Sequence, residues 1–140
     1  MKMTDSIKPA TIALTALFGL AVAVRAADTG PLPPASTKTG VTFATDIKPI
    51  FDQSCVKCHN NDKPKAKLKL DSLENALKGS KDGKVVVAGD SAKSPLIRSV
   101  AHVTSDKDTW MPPLHNKAKI GPLTPEQIGL IRAWIDQGAK

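Results

Sequence analysis

The chain has 140 residues, a formal net charge of +7 and only 4% aromatic residues. A chain of this length has room for one small domain, and its basic charge favours an acidic partner. The scarcity of aromatic side chains argues against a nucleic-acid-binding protein, in which aromatic rings stack on the bases.

The N-terminal segment 1–26 is typical of a secretory signal peptide. Lys2 and Lys8 make its start positive, and residues 12–24 form an apolar run without a charge. Small or apolar side chains at Val24 and Ala26 predict cleavage after Ala26. The run is short for a transmembrane helix, and retention as an uncleaved anchor is the alternative. We therefore expect an exported, periplasmic protein that is soluble once the signal has been removed.

Residues 27–42 are rich in proline, glycine and hydroxyl side chains, with Pro31, Pro33 and Pro34 close together. Such a composition predicts a flexible leader. The folded domain is then expected over residues 43–140. Its first helix is predicted to begin at Thr45 or Asp46, which would cap it, with Ile47, Ile50 and Phe51 at helical spacing.

The first helix leads into Cys55-Val56-Lys57-Cys58-His59. Two cysteines separated by two residues and followed by histidine are the attachment signature of a covalently bound c-type haem. Each thiol forms a thioether with one vinyl group, and the histidine binds the iron. The motif predicts one haem c on Cys55 and Cys58, with His59 as proximal ligand. Because few aromatic residues remain for a core, we expect the domain to pack around this cofactor.

Three other interpretations of the motif stay open. A redox dithiol of thioredoxin type would normally follow a strand, and no apolar strand precedes Cys55. A structural zinc site would need a fourth ligand, and His102 and His115 do not have the spacing of a zinc finger. A simple disulfide between the two cysteines is the third possibility.

Residues 63–70 alternate lysines with apolar residues, which predicts an extended segment with the lysines outward and the leucines inward. We expect its lysines to rim the haem edge and to attract an acidic redox partner. They are Lys63, Lys65, Lys67 and Lys69.

Three further helices are predicted. The first covers residues 71–78 and ends at Gly79. The second begins with Ser94 as N-cap and Pro95 at its first position. The third begins at the capping box 124–127, carries the apolar stripe Ile128, Ile131, Trp134 and Ile135, and ends at Gly138.

Met111 is the one methionine outside the signal segment, in the run Trp110-Met111-Pro112-Pro113. A thioether is a usual second ligand of haem iron in electron carriers, so Met111 is the first candidate for the distal position. His102 and His115 are the competing candidates. Arg98 and Trp110 are candidates for contacts with the haem propionates.

An iron with both axial positions filled by protein has no open site for oxygen or peroxide. The expected function is therefore one-electron transfer by a monohaem cytochrome c rather than enzymatic catalysis. The alternative is a haem-based sensor of small ligands, or a peroxidase-like enzyme, in which the distal methionine dissociates.

Several separated motifs occur in an order that resembles the Planctomycete-type cytochrome c domain. The resemblance covers residues 43–140 and implies a small all-α fold of the class I cytochrome c type around one haem. It also implies His59 as proximal and Met111 as distal ligand, and the first and last helices crossing so that Phe51 meets Trp134. The motifs are Phe43-x-x-Asp46-Ile47-x-Pro49-Ile50, Cys55-x-x-Cys58-His59, Leu68-x-Leu70-Asp71, Ser94-Pro95-Leu96-Ile97-Arg98, Met111-Pro112-Pro113, Leu123-Thr124-Pro125-Glu126-Gln127 and Trp134-Ile135-x-Gln137-Gly138-Ala139.

Overall fold

The computed structural model describes residues 30–62 and 64–140. These residues form helices and no β-strand, which confirms the predicted all-α class for this part of the chain. The helices are α1 (Lys48–Ser54), α2 (Leu73–Lys78), α3 (Pro95–Val100) and α4 (Pro125–Asp136).

Two parts of the chain named in the sequence analysis are not described. The predicted signal segment 1–26 and the first residues of the leader lie outside the described residues, and so does Lys63. Within the two described ranges, no helix has the length and apolar character needed to cross a membrane.

The first helix begins earlier than predicted. A turn of π-helix, Phe43–Ile47, leads directly into α1, and Thr42 is its cap. The Thr42 hydroxyl accepts a hydrogen bond from the Thr45 amide, while the Asp46 carboxylate accepts one of 2.9 Å from the Thr42 amide. Thr45 and Asp46 are therefore inside the turn, and the Asp46 carboxylate accepts the backbone N–H of Thr42, the residue that precedes the turn. Hydrogen bonds to this carboxylate, the strongest from Lys38, lower the pKa of Asp46 to about 2.

The other three helices lie where the sequence predicts them. Ser72 caps α2 through the Asn75 amide, and Gly79 ends it at φ 91°. The capping box of Thr124 and Gln127 opens α4, as predicted. Pro95 opens α3, but the Ser94 hydroxyl does not cap it: it donates to the Asp90 carbonyl at 2.9 Å and accepts from the Val87 amide at 2.9 Å.

The lysine-rich segment is only partly extended. Residues Lys65–Lys67 form a 3-10 turn in which Ala66 and Lys67 have φ values of 53° and 55°. The alternation therefore predicts the geometry wrongly at the start of the segment. Leu68 and Leu70 are nevertheless buried, as expected for the apolar side of the pattern.

The core is centred on α4 and the first helical segment. Phe51 and Trp134 are fully buried, with ring centres 6.3 Å apart and nearly perpendicular planes. Phe43 lies 5.8 Å from each of these rings. The expected contact between Phe51 and Trp134 is confirmed, and it holds α1 against α4.

The described part of the leader has neither helix nor strand, yet it is bound to α4. The Ser36 amide donates to the Gly129 carbonyl at 2.9 Å, and the Gln137 side chain donates to the Lys38 carbonyl at 2.8 Å. The Arg132 guanidinium donates to the Pro33 carbonyl. Composition alone does not predict these contacts, which depend on Gly129: a Cβ there would lie 2.6 Å from the Pro34 carbonyl oxygen.

Replacing Gly129 with alanine tests this packing. In an open helix the change stabilises a protein by up to about 1 kcal/mol, but here the added methyl group meets the Pro34 carbonyl. We expect the free energy of unfolding to fall by about 1–3 kcal/mol in denaturant titrations. Gly121→Ala is the control, because nothing lies within 4 Å of a Cβ at that position. A Gly129→Ala protein as stable as the original would contradict the contact.

Candidate functional site

The Cys55–His59 segment is a tight turn that continues the end of α1. The Cys55 and Val56 amides both donate to the Phe51 carbonyl, at 2.8 and 3.0 Å. The amides of Cys58 and His59 then both donate to the Cys55 carbonyl at 3.0 Å. Because Phe51 is locked in the aromatic core, this hydrogen-bond chain fixes where the two thiols and the imidazole lie.

All three side chains line one cavity of about 550 Å³, which we call the motif cavity. A cavity of this size is within the range that holds cofactors and other small molecules. Most of its remaining wall is apolar and comes from four separate parts of the chain. Those apolar residues are Ala66, Leu68, Leu70, Leu96, Val100, Met111, Pro112, Pro113, Ala118 and Ile120.

His59 is buried, and its ring is oriented by a backbone carbonyl. Its Nδ1 lies 3.3 Å from the Leu68 carbonyl oxygen. Since a carbonyl only accepts, Nδ1 carries the proton and Nε2 keeps its lone pair. Burial lowers the pKa of His59 below its ordinary value despite the hydrogen bonds from the imidazole to backbone carbonyls. The ring is thus held neutral at physiological pH, which is the form that binds metals.

The cysteines do not have the properties of a reactive dithiol. Burial, and secondarily the neighbouring Cys58, raise the pKa of the Cys55 thiol to about 12. A catalytic dithiol needs a lowered pKa because the thiolate is the nucleophile. Both thiols are free in the structure, so no disulfide joins them. Among the described residues, no group of three or more His, Cys, Asp or Glu side chains could hold a metal ion.

Met111 lines the motif cavity, and its backbone is anchored to the end of α3. The Met111 amide donates to the Ser99 carbonyl at 3.0 Å, and His102 Nε2 lies 3.2 Å from the Met111 carbonyl oxygen. The His102 ring is also stacked on Trp110, with ring centres 4.8 Å apart. His102 therefore supports the methionine loop from outside the cavity. His115, the other competing histidine, does line the cavity.

Arg98 and Trp110 are not part of the cavity wall. The Trp110 indole N–H donates to the Thr104 carbonyl at 3.1 Å, so this donor is already used. Besides the motif residues and His115, the polar residues that line the wall are Ser54, Lys57, Lys65, Asn116 and Lys117. Lys57 could have been found from its place inside the motif, whereas Asn116 and Lys117 reach the cavity only through the fold of the loop after Met111.

The three described lysines of segment 63–70 do not line one cavity. Lys65 lines that cavity, whereas Lys67 and Lys69 line a different one. The segment lies between the two cavities, because Leu68 and Leu70, which alternate with Lys67 and Lys69, line the motif cavity.

An all-α domain with Cys-x-x-Cys-His beside an apolar cavity has the arrangement of a c-type cytochrome. Residues 55–115 match the family model described as Planctomycete cytochrome C. The resemblance found in the sequence is confirmed over this range, which supplies most of the residues that line the motif cavity. α1 and α4 lie outside the matched range. Neither the curated proteins nor the solved structures that were compared contain a significant match to the chain.

Proposed function

We propose that this protein is a monohaem c-type cytochrome that carries one electron at a time between periplasmic redox partners. The observation that carries the proposal is the motif cavity, because it brings the complete attachment motif and Met111 to one apolar space of cofactor size. The bound haem would supply a reversible one-electron change at its iron.

Each residue of the motif has a distinct part in holding the haem. Cys55 and Cys58 would form the two thioether bonds, and His59 Nε2 would bind the iron on the proximal side. The Leu68 carbonyl, 3.3 Å from Nδ1, supports this assignment because it favours the tautomer with a free lone pair on Nε2. The leucines of the wall would exclude water from the porphyrin faces.

Met111 is the proposed distal ligand. Its two backbone contacts, with Ser99 and His102, favour a loop held in one position rather than a ligand that readily leaves. A thioether ligand stabilises the reduced iron relative to a second histidine, which suits an electron carrier. With both axial positions filled, the protein would have no open site for peroxide or oxygen.

The contact between Phe51 and Trp134 supports the finer assignment of the fold as class I-like, with residues 43–140 as one domain around the haem. The N-terminal segment 1–26 supports export. In this proposal the protein is soluble in the periplasm after cleavage.

A covalent attachment can be tested on the denatured polypeptide. The protein is produced in a host that exports and matures c-type cytochromes, then unfolded and separated by electrophoresis. We expect the haem chromophore to remain on the polypeptide, because thioether bonds survive denaturation. The double variant Cys55→Ser, Cys58→Ser should carry no haem chromophore after denaturation. The control His102→Ala should retain the chromophore. A denatured native chain without chromophore would refute the haem proposal.

The distal ligand can be tested by replacing Met111 with alanine. We expect the haem to stay attached, the iron to lose its long-wavelength Met-to-iron absorption band, and the reduced protein to bind carbon monoxide quickly. The native protein should keep the band and react slowly with carbon monoxide. His115→Ala is the matched control, because His115 lines the same cavity.

Two other outcomes would contradict Met111 as a firmly bound distal ligand. If His115→Ala opens the sixth position and Met111→Ala does not, the distal ligand is His115. If the native reduced protein itself binds carbon monoxide rapidly, the sensor or peroxidase-like alternative replaces the carrier.

We also propose that an acidic redox partner docks over the motif cavity. Lys57, Lys65 and Lys117 line the cavity, and the neighbouring Leu114 is 58% exposed. Positive charges around a small apolar contact would attract and orient an acidic surface close to the haem. Of the three described lysines that were expected from the sequence to dock this partner, Lys65 has a position that supports the role.

Lys57→Gln combined with Lys117→Gln should slow the oxidation of the reduced protein by an anionic oxidant such as ferricyanide. We expect a decrease of about tenfold at low ionic strength that disappears at high salt, because the effect is electrostatic. A cationic oxidant should not be slowed. Lys67→Gln combined with Lys78→Gln removes the same charge elsewhere, and an equal decrease in that control would contradict docking at the motif cavity.

A further inference from the structure

A second cavity, of about 460 Å³, lies on the other side of the lysine-rich segment. We call it the lysine cavity because four lysines line it. Two come from the segment itself, one from the last turn of α2 and one from the following turn. They are Lys67, Lys69, Lys78 and Lys81, with Asn75 and Ser80 among the other lining residues.

Backbone contacts fix the shape of this cavity. The Lys81 amide donates to the Ala66 carbonyl at 2.9 Å, so the turn after α2 is joined to the segment that carries Lys67. Gly79 ends α2 with φ 91°, and a Cβ there would lie 2.5 Å from the Gly83 carbonyl oxygen. Only glycine allows this close turn, which brings Lys78 and Lys81 to the same cavity.

The positive charges of the lysine cavity are poorly compensated. No aspartate or glutamate lines it. Lys81 pairs with Asp82 at 2.7 Å, but none of the ion pairs among the described residues involves Lys67, Lys69 or Lys78. The nearby carboxylate of Asp71 accepts hydrogen bonds from Asn61 and Asn75 instead. Several ammonium groups around one cavity repel each other, and a bound anion would relieve that repulsion.

We propose that the lysine cavity binds a small, multiply charged oxyanion of the phosphate class. The shape supports a compact ligand, because the lysines line a cavity within the size range of small-molecule sites. Lysine ammonium groups on flexible stems are common phosphate ligands. The proposal does not depend on the haem, since the lysine cavity and the motif cavity share no lining residue.

Pyrophosphate is the probe that tests the site. Isothermal titration of the complete, haem-loaded protein at a fixed ionic strength of about 0.1 M should show saturable binding of one pyrophosphate. Lys67→Gln combined with Lys78→Gln should weaken the affinity by about tenfold, because two exposed charge contacts are lost. The double variant Lys57→Gln, Lys117→Gln has the same net charge as the first double variant. It should bind pyrophosphate with the affinity of the native protein. Both pairs are on the surface, and circular dichroism checks that they fold.

A second measurement locates the ligand. Pyrophosphate should shift the amide resonances of residues 78–81 in nuclear magnetic resonance spectra and leave those of residues 55–59 unchanged. The absence of saturable binding would overturn the proposal, and so would an equal loss of affinity in the two charge-matched variants. Tighter binding of poly-glutamate than of pyrophosphate would also overturn it, because the cavity would then recognise an acidic polypeptide. None of these results bears on covalent haem attachment, so the two proposals fail separately.

Discussion

The buried aromatic cluster of Phe43, Phe51 and Trp134, with ring centres 5.8 to 6.3 Å apart, supports the rest of the structure. It joins α1 and the turn before it to α4, which is far from them in the sequence. The chain end reinforces the joint, because the Lys140 main-chain oxygen accepts hydrogen bonds from the Phe43 amide at 2.8 Å and the Trp134 indole at 2.9 Å. Few rings are available, and most of them are used at this one place.

The position of the motif cavity follows from that cluster. The Phe51 carbonyl accepts the amides of Cys55 and Val56, so a buried ring on one side of α1 determines where the thiols lie at its end. Met111 is held in a similar way, because its amide donates to the Ser99 carbonyl at the end of α3. Rigid helices thus support a site whose chemistry is carried by short turns, which is a common way to position functional side chains precisely.

The segment between Pro64 and Leu70 separates two different environments. Its leucines contribute to an apolar wall, its Leu68 carbonyl orients His59, and two of its lysines line the basic cavity behind it. One short stretch of chain therefore affects both the ligand environment of the proposed haem and the charge distribution of the surface. The proximity of the two cavities also means that an anion bound at the lysines would reduce the positive potential near the motif cavity.

Local patterns in the sequence were sufficient to predict the starts or ends of three helices and to find the Cys-x-x-Cys-His motif, because caps, glycine stops and ligand spacing act over a few residues. The all-α class was implied by the family resemblance. Local patterns were insufficient where contacts join distant parts of the chain. Such contacts dock the leader on Gly129 and place Lys65 at a different cavity from Lys67 and Lys69. They also bring Trp110 and His102 together to support the Met111 loop. The sequence by itself determined the residues of the Cys-x-x-Cys-His motif and their spacing. Only the tertiary structure decided which other side chains share their cavity, because packing between separate helices sets those distances.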